Sequence, residues 1–429
     1  MNAERKTIFL VDDDMTNLAI GKKNLSASYN VFTLNSGAVL LQMLEKKIPD
    51  LILLDVDMPK MNGYETIKIL KSKPNTQNIP VIFLTARTES GDELEGLSLG
   101  AIDYITKPFQ LALLLKRIEV HLLVQDQRKT LEYFYENLRK AFSTYLSGDV
   151  VEEIIADPTR LQLGGINRRM SVMFTDVEGF TSISDRLNPS ELVSLLNQYL
   201  STMSDVIMEK KGTIDKYVGD AIIAFFGAPL ELPDHALRAC TSAVTMKRLE
   251  KVLNRSFIDQ GISTKPIYTR IGINTGEMVV GNMGTERKMN YTVMGNAVNI
   301  AARLEPINKQ YGTKILVSEH TIQEAKGHFL SRRLDRIKVT GTSEPLRIHE
   351  VLETSADAPA SLHEQVALFH KALDIFESRN WQDAEKAFNH IAEVFPSDAP
   401  SILYRDRCRQ YMQNPPHKNW DGVFNLMKK

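Results

Sequence analysis

Residues 213–226 read TIDKYVGDAIIAFF, two β-rich apolar runs separated by Gly219 and Asp220. Gly-Asp between such runs is a two-residue turn signal, so the stretch predicts a β-hairpin with Asp220 at the turn and Lys216 on the first strand. On a helix, Lys216 and Asp220 would share one face as a surface ion pair. The hairpin reading separates them. It also makes the surrounding region, about residues 165 to 352, a less regular α/β unit with hairpins.

Outward from there, the first 120 or so residues look different. TIFLV, LILLD and VIFLT are continuous apolar strands, separated by segments of helical spacing such as YETIKILKSK. That pattern predicts a parallel sheet covered by helices on both faces. Residues 109–146 contain no Pro or Gly and place Val124, Leu131, Leu138 and Tyr145 seven apart, with Phe134, Tyr135 and Phe142 beside that row. A long helix with a coiled-coil seam follows, either pairing with a second copy or packing on its own domain. After the polar linker TSADAPAS, the last seventy residues look helical, and Ala384, Phe388 and Pro396 match the closing half of a tetratricopeptide repeat. The expected division is 1–122, 123–164 as helical linker, 165–352, and 353–429 as a small helical tail for capping or docking a protein partner.

Bulk properties narrow the function. A chain of 429 residues exceeds one ordinary core. Its 52 basic and 53 acidic residues leave no electrostatic footprint for nucleic acid. Cys240 and Cys408 lie far apart without metal-ligand spacing, as in a reducing cytosol. Neither a signal peptide nor a membrane-length apolar run is present. The expectation is a soluble cytoplasmic protein without nucleic-acid or membrane partners.

In a parallel sheet, functional groups gather at the carboxyl ends of the strands. Asp12 and Asp13 follow the first strand, Asp55 follows LILL, Thr85 follows VIFL, and Lys107 precedes Pro108. Three carboxylates at one edge repel, so a divalent, oxygen-loving cation such as Mg²⁺ is expected among them. These residues resemble the receiver domain of bacterial response regulators, with LLDVDMPKMNG and DYITKPF in place. The resemblance implies a flavodoxin-like doubly wound fold, and Asp55 as acceptor of a phosphoryl group from a histidine kinase or phosphotransfer protein. It further implies one Mg²⁺ held by Asp12 and Asp13 together with Asp55, Thr85 and Lys107 on the phosphoryl oxygens, and Tyr104 as the switch aromatic.

The second unit has its own pair of strand-end aspartates. MSVMFTDVEGFT is a buried strand ending at Asp176, and Asp220 lies at the hairpin turn. One or two carboxylates plus substrate phosphates are what a Mg²⁺-nucleotide site uses. In YTVMGNAVNIAARLE, Asn296 can cap a helix, and Asn299 and Arg303 share one of its faces. An Asn and an Arg projecting together suit a transferring phosphoryl group.

FTDVEGFT, DKYVGDAIIAFFG and YTVMGNAVNIAARLE together resemble the catalytic domain of class III nucleotide cyclases, with YLSGDVVEEIIADP like the usual lead-in. The resemblance implies a ferredoxin-like α+β fold and two Mg²⁺ or Mn²⁺ ions bound by Asp176, Asp220 and the carbonyl of Val177. One ion acidifies the ribose 3′-hydroxyl, and the other holds the triphosphate. Asn299 matches the residue that orients the ribose, and Arg303 the one that stabilises the pentavalent phosphate. Lys216 and Thr292 match the base-selecting positions. Lys216 only donates, which suits adenine N1, and the Thr292 hydroxyl accepts from the 6-amino group. Many relatives carry Asp at the position of Thr292. Thr marks a subgroup of bacterial and soluble adenylyl cyclases, some stimulated by bicarbonate, and it is less exclusive than Asp because a hydroxyl also donates.

One departure concerns the triphosphate. Thr340 and Thr342, in VTGTSEP, stand where many relatives carry a lysine, which predicts weaker ATP binding, with Lys338 and Arg347 as nearby cations able to compensate. The expected protein is a homodimeric response regulator with adenylate cyclase output. The alternatives are a guanylyl cyclase, disfavoured by Lys216, and a catalytically silent, phosphorylation-dependent dimeric scaffold.

Overall fold

A computed structural model describes residues 5–85, 96–145, 155–157, 162–263, 265–338, 345–417 and 420–425. They fall into two compact units, Met1–Ala141 and Phe142–Lys429. Thr340, Thr342 and most of YLSGDVVEEIIADP lie outside the described residues. No described helix is long and apolar enough to cross a membrane.

The first unit runs β1 (Thr7–Val11), α1 (Met15–Leu25), β2 (Asn30–Leu34), α2 (Gly37–Leu44), β3 (Leu51–Asp55), α3 (Gly63–Ser72), β4 (Val81–Thr85), β5 (Asp103–Thr106) and α4 (Leu111–Tyr145). The strands pair in parallel in the order β2-β1-β3-β4-β5, the flavodoxin-like arrangement expected from the sequence. Residues of β1, β3 and β4 are buried throughout because both faces are covered. Phe9, Ile52, Leu54 and Phe83 pack on one side, and Leu10, Leu53 and Leu84 meet Leu18 and Leu114 on the other. Helix α4 is buried at Leu114, Ile118 and Leu122, whereas Val124, Leu131, Phe134, Tyr135 and Leu138 are exposed.

The second unit opens with β6 (Gly164–Val177), α5 (Phe180–Ser184), α6 (Pro189–Glu209), β7 (Thr213–Val218), β8 (Ala221–Phe226), α7 (His235–Asp259) and β9 (Thr269–Thr285). Strands β6 to β9 lie side by side as β9-β6-β8-β7, with every neighbouring pair antiparallel, which is the ferredoxin-like order. Strand alternation decides the two faces. Met173, Ile222 and Phe226 pack under α6 and α7, whereas Val172, Phe225 and Met278 form a second cluster on the other side. The hairpin turns where the sequence predicts: Val218 pairs with Ala221, and Gly219 has φ 64°, a left-handed conformation that suits glycine.

Then follow β10 (Lys288–Met294), α8 (Asn296–Tyr311), β11 (Ile315–Ser318), α9 (Glu319–Glu324), β12 (Phe329–Lys338) and β13 (Leu346–Thr354). Helix α8 lies close on β9 at Gly272, where a Cβ would sit 2.4 Å from the Glu305 backbone nitrogen. Asn308 donates to the Ile271 carbonyl at 3.0 Å, and Asn274 to the Ala297 carbonyl at 2.8 Å. Asn296 is the first residue inside this helix and not its cap: Gly295, at φ 138°, takes the capping position without a side-chain bond.

The tail contains α10 (Ala360–Glu377), α11 (Trp381–Val394), α12 (Ala399–Gln413) and a short strand, β14 (Val423–Asn425), which pairs in parallel with β12. The tail is helical as expected, and it packs into a core shared with the rest of the second unit. Phe369, Phe376, Phe388 and Tyr404 share one core with Leu304, Ile307, Tyr311, Leu334 and Ile348. Without the tail, that apolar face of α8 and the sheet would stand in water. Buried ion pairs cross the same boundary: Arg332 Nη1 to Asp398 Oδ1 and Arg407 Nη1 to Asp335 Oδ2, at 2.7 and 2.6 Å.

Candidate functional site

In the first unit, the ends of β1, β3 and β5 converge. Carboxylate oxygens of Asp12, Asp13 and Asp55 lie within 4.8 Å of one another, the one such group among the described residues. The Lys107 ammonium bridges two of them, 2.6 Å from Asp12 Oδ2 and 2.9 Å from Asp55 Oδ1. Asn17 and the backbone N–H of Asp14 also donate to Asp12. Burial raises the Asp55 carboxyl above its ordinary pKa, against the pull of Lys107. Burial would lower Lys107, but its bonds to Asp12 and Asp55 outweigh that and hold it raised. Thr85 closes β4 and its carbonyl accepts from the Lys107 N–H at 2.7 Å. Tyr104 stands half-buried on β5 beside Phe83. All-oxygen donors around a lysine fit a hard cation and a transferred anionic group.

In the second unit, Asp176 ends β6 and Asp220 occupies the β7–β8 turn. They are tied together, because the Val177 N–H donates to Asp220 Oδ2 at 2.9 Å. Burial raises the Asp220 carboxyl, and the nearby charge of Asp176 adds to this. Two carboxylates and the Val177 carbonyl form an oxygen set suited to Mg²⁺ or Mn²⁺, whose charge would relieve that repulsion.

Two further residues stand here that the sequence did not single out. Arg270, opposite Asp176 in the β6–β9 register, donates to Asp176 Oδ2 at 2.6 Å. Its Nε lies 2.9 Å from Glu305 Oε1. Burial, then the charge of Asp176, pushes the Glu305 carboxyl up to about 7.

A second cluster forms around Asp215. Its Oδ2 accepts from the Thr292 hydroxyl at 2.8 Å, and its Oδ1 lies 3.4 Å from Lys216 Nζ. Asp215 is the bulged residue of β7, where the pairing with β8 shifts between Ile214 and Lys216. The structure thus brings Lys216 and Thr292 together through a carboxylate absent from the sequence reading. Asn299 and Arg303 lie on α8, exposed and half-buried, and their side chains make no hydrogen bond or ion pair to any described residue. Arg347, a candidate to compensate for Thr340 and Thr342, is engaged elsewhere, 2.6 Å from Glu377 in the tail. Lys338 stays exposed at the end of β12.

The comparisons with known proteins follow the same division. The response regulator receiver domain family matches residues 8–119, and the adenylate and guanylate cyclase catalytic domain family matches residues 166–352. The chain is 31% identical over 251 residues to the terminal-differentiation specific adenylate cyclase of Dictyostelium discoideum, covering 57% of this chain and 12% of that protein. It is 35% identical over 230 residues to an adenylate cyclase of Anabaena cylindrica, covering 52% of this chain and 43% of that one. A solved structure, the adenylyl cyclase CyaB from P. aeruginosa, is 36% identical, with 46% of this chain and 100% of that chain covered and a TM-score of 0.43. The chain therefore spans less than half the length of these two curated relatives. Residues 8–119 belong to the response regulator receiver domain family and residues 166–352 to the adenylate and guanylate cyclase catalytic domain family, joined in one chain.

Proposed function

We propose that this protein is a cytoplasmic response regulator whose output is an adenylate cyclase, converting ATP to 3′,5′-cyclic AMP and pyrophosphate. The observation that carries the reading is the coexistence, in one cyclase-family domain, of the tied pair Asp176 and Asp220 with Lys216 gathered to Thr292. Mg²⁺ or Mn²⁺, two ions per site, would be held by Asp176, Asp220 and the Val177 carbonyl and would supply acidification of the 3′-hydroxyl and neutralisation of the phosphates. Lys216 donates to adenine N1, and the Thr292 oxygen accepts from the 6-amino group. Asn299 orients the ribose and Arg303 stabilises the charge that develops on the α-phosphate. The ribose 3′-oxygen forms its bond to the α-phosphorus as the bond to the bridging oxygen breaks and pyrophosphate leaves. Arg270, already beside Asp176, offers a guanidinium to the triphosphate where Thr340 and Thr342 replace lysine.

The two sets of residues lie at different parts of the domain. Arg270, near the start of β9, faces Asp176, whereas Gly281, toward its end, faces Thr292. This favours sites shared between two copies, each giving its metal half to one site and its base-reading half to the other. The exposed row Val124, Leu131 and Leu138 on α4 supplies an apolar seam for such a homodimer. Phosphorylation of Asp55 by a histidine kinase or phosphotransfer protein, with Mg²⁺ among Asp12, Asp13 and Asp55, would regulate the pairing. The test is incubation of the purified protein with Mg²⁺ or Mn²⁺ and ATP or GTP, followed by identification of the cyclic product. Cyclic AMP is expected, and no product from either nucleotide would leave a silent scaffold. The coupling fails if Asp55→Asn and acyl-phosphate donors both leave the cyclase rate unchanged.

A further inference from the structure

We infer that Asp215 is a specificity-determining residue, selecting adenine over guanine by fixing the direction of the Thr292 hydroxyl; this rests on the adenylate cyclase reading above. A threonine hydroxyl carries one proton and two acceptor lone pairs, so left free it turns either side toward a ligand. Guanine O6 would then be satisfied as well as the adenine 6-amino group. The arrangement around Thr292 removes that freedom. Its Oγ1 lies 2.8 Å from Asp215 Oδ2, and an ionised carboxylate only accepts. Burial raises the Asp215 carboxyl above its ordinary pKa, and the Thr292 hydroxyl together with Lys216, 3.4 Å from the other carboxylate oxygen, opposes that and favours the charged form. The Thr292 proton is therefore committed to Asp215, and only lone pairs remain for the base.

The consequence is a one-way reader. The adenine 6-amino group donates to the Thr292 oxygen, whereas guanine O6 meets it lone pair against lone pair. Thr292 acquires the acceptor-only character of a carboxylate, by way of a carboxylate supplied from the bulge of β7 instead of from β10. Two features mark Asp215 as more than a strand residue. Its side chain is only 4% exposed, and its Oδ1 is buried without a hydrogen-bond partner among the described residues. A buried acceptor left unsatisfied opposes stability. The carboxylate also lies against both base-reading side chains at once, so it orients the Lys216 ammonium as well as the hydroxyl.

The experiment measures kcat and KM of the full chain with ATP and with GTP, for the wild type, Asp215→Asn, Asp215→Glu and Asp215→Ser. In Asp215→Asn the amide turns its carbonyl toward Lys216 and its NH₂ toward Thr292, which frees the hydroxyl proton to face the base. The ratio of kcat/KM for ATP over GTP should then fall roughly tenfold or more, chiefly through KM. Asp215→Glu keeps an acceptor-only partner and should hold the ratio within about threefold of the wild type. Asp215→Ser releases the hydroxyl without placing an amide beside Lys216, so the same fall is expected where Asp215→Asn does not fold. An unchanged ratio in the folded Asn or Ser variant overturns the inference. A wild type that shows no preference for ATP also overturns it, while leaving a cyclase; no cyclic product from either nucleotide removes the cyclase reading itself.

Discussion

Arg332 offers a quantitative test of how the tail is attached. The residue is 2% exposed and lies between Glu350 and Asp398, themselves 7% and 5% exposed. Its Nη1 donates to Asp398 at 2.7 Å and its Nε to Glu350 at 3.0 Å, while the guanidinium sits 4.7 Å from the Phe369 ring centroid. Arg332→Ala leaves two carboxylates buried without their cation, a change that costs about 3–5 kcal/mol. For a unit of this size each kcal/mol moves the melting temperature by about 2–4 °C, so a fall of roughly 6–20 °C is expected by calorimetry. The pH dependence gives a second reading with a fixed sign. Burial already raises the Glu350 carboxyl, opposed by Arg332, and removing Arg332 raises it further. An acid whose folded pKa lies above its unfolded value is most stabilising below the unfolded value, and that stability is lost as pH rises through the folded value. The gap between Arg332→Ala and the wild type should therefore narrow as pH falls from 8 toward 5. A melting temperature within about 2 °C of the wild type, or a gap that does not change with pH, would refute the claim that the tail is held by buried charge.

Asp220→Asn should lower cyclase turnover by roughly a hundredfold or more, because it removes one carboxylate of the proposed metal pair, yet leave Asp55 phosphorylation unchanged when both are assayed on the same preparation. Asp55→Asn should abolish incorporation of label from a small acyl-phosphate donor. Lys107→Met should weaken that incorporation, because the ammonium between Asp12 and Asp55 is lost. Burial holds the Glu305 carboxyl at about 7, above its unfolded value, so the stability it confers is full at low pH and lost as pH rises through about 7. In metal-free buffer, Glu305→Gln should flatten the decline in melting temperature between pH 5 and 8.

The receiver half was legible because its chemistry sits where simple strands end. Runs such as LILLD announce the strand, and the residue that closes it, Asp55, joins the carboxylate group with Asp12 and Asp13. The β7–β8 hairpin was legible for a similar reason, since Gly219-Asp220 permits few other turns. Asp215 was hidden because a bulge, which no alternation pattern reveals, aims it at Thr292 on a distant strand. Arg270 was hidden because only the β6–β9 register places it opposite Asp176. The helical character of the tail was legible, but its packing was not. TSADAPAS has the composition of a boundary, and no sequence pattern shows that Arg332 and Arg407 meet Asp398 and Asp335 in buried pairs across it. A three-residue strand such as Val423–Asn425 carries no periodicity to detect.

The hairpin itself supplies the sharpest test of assembly. Lys216 belongs to the cluster with Asp215 and Thr292, and Asp220 to the pair with Asp176, so one short ribbon ties both halves of the proposed site on one chain. If two copies build each site, Lys216 and Asp220 of one chain never serve the same ATP. A chain with Lys216→Ala keeps its metal half, and a chain with Asp220→Ala keeps its base-reading half. In a heterodimer of the two, one site collects both intact halves and the other collects both lesions. Each purified heterodimer should then show about half the wild-type turnover, and a randomly exchanged equal mixture about one quarter, since half of its dimers are mixed. Separate tags on the two chains isolate the heterodimer and prove its composition. Turnover no higher than either parent in such a sample would place Lys216 and Asp220 in a single-chain site, and the ribbon would then join parts of one site instead of bridging two.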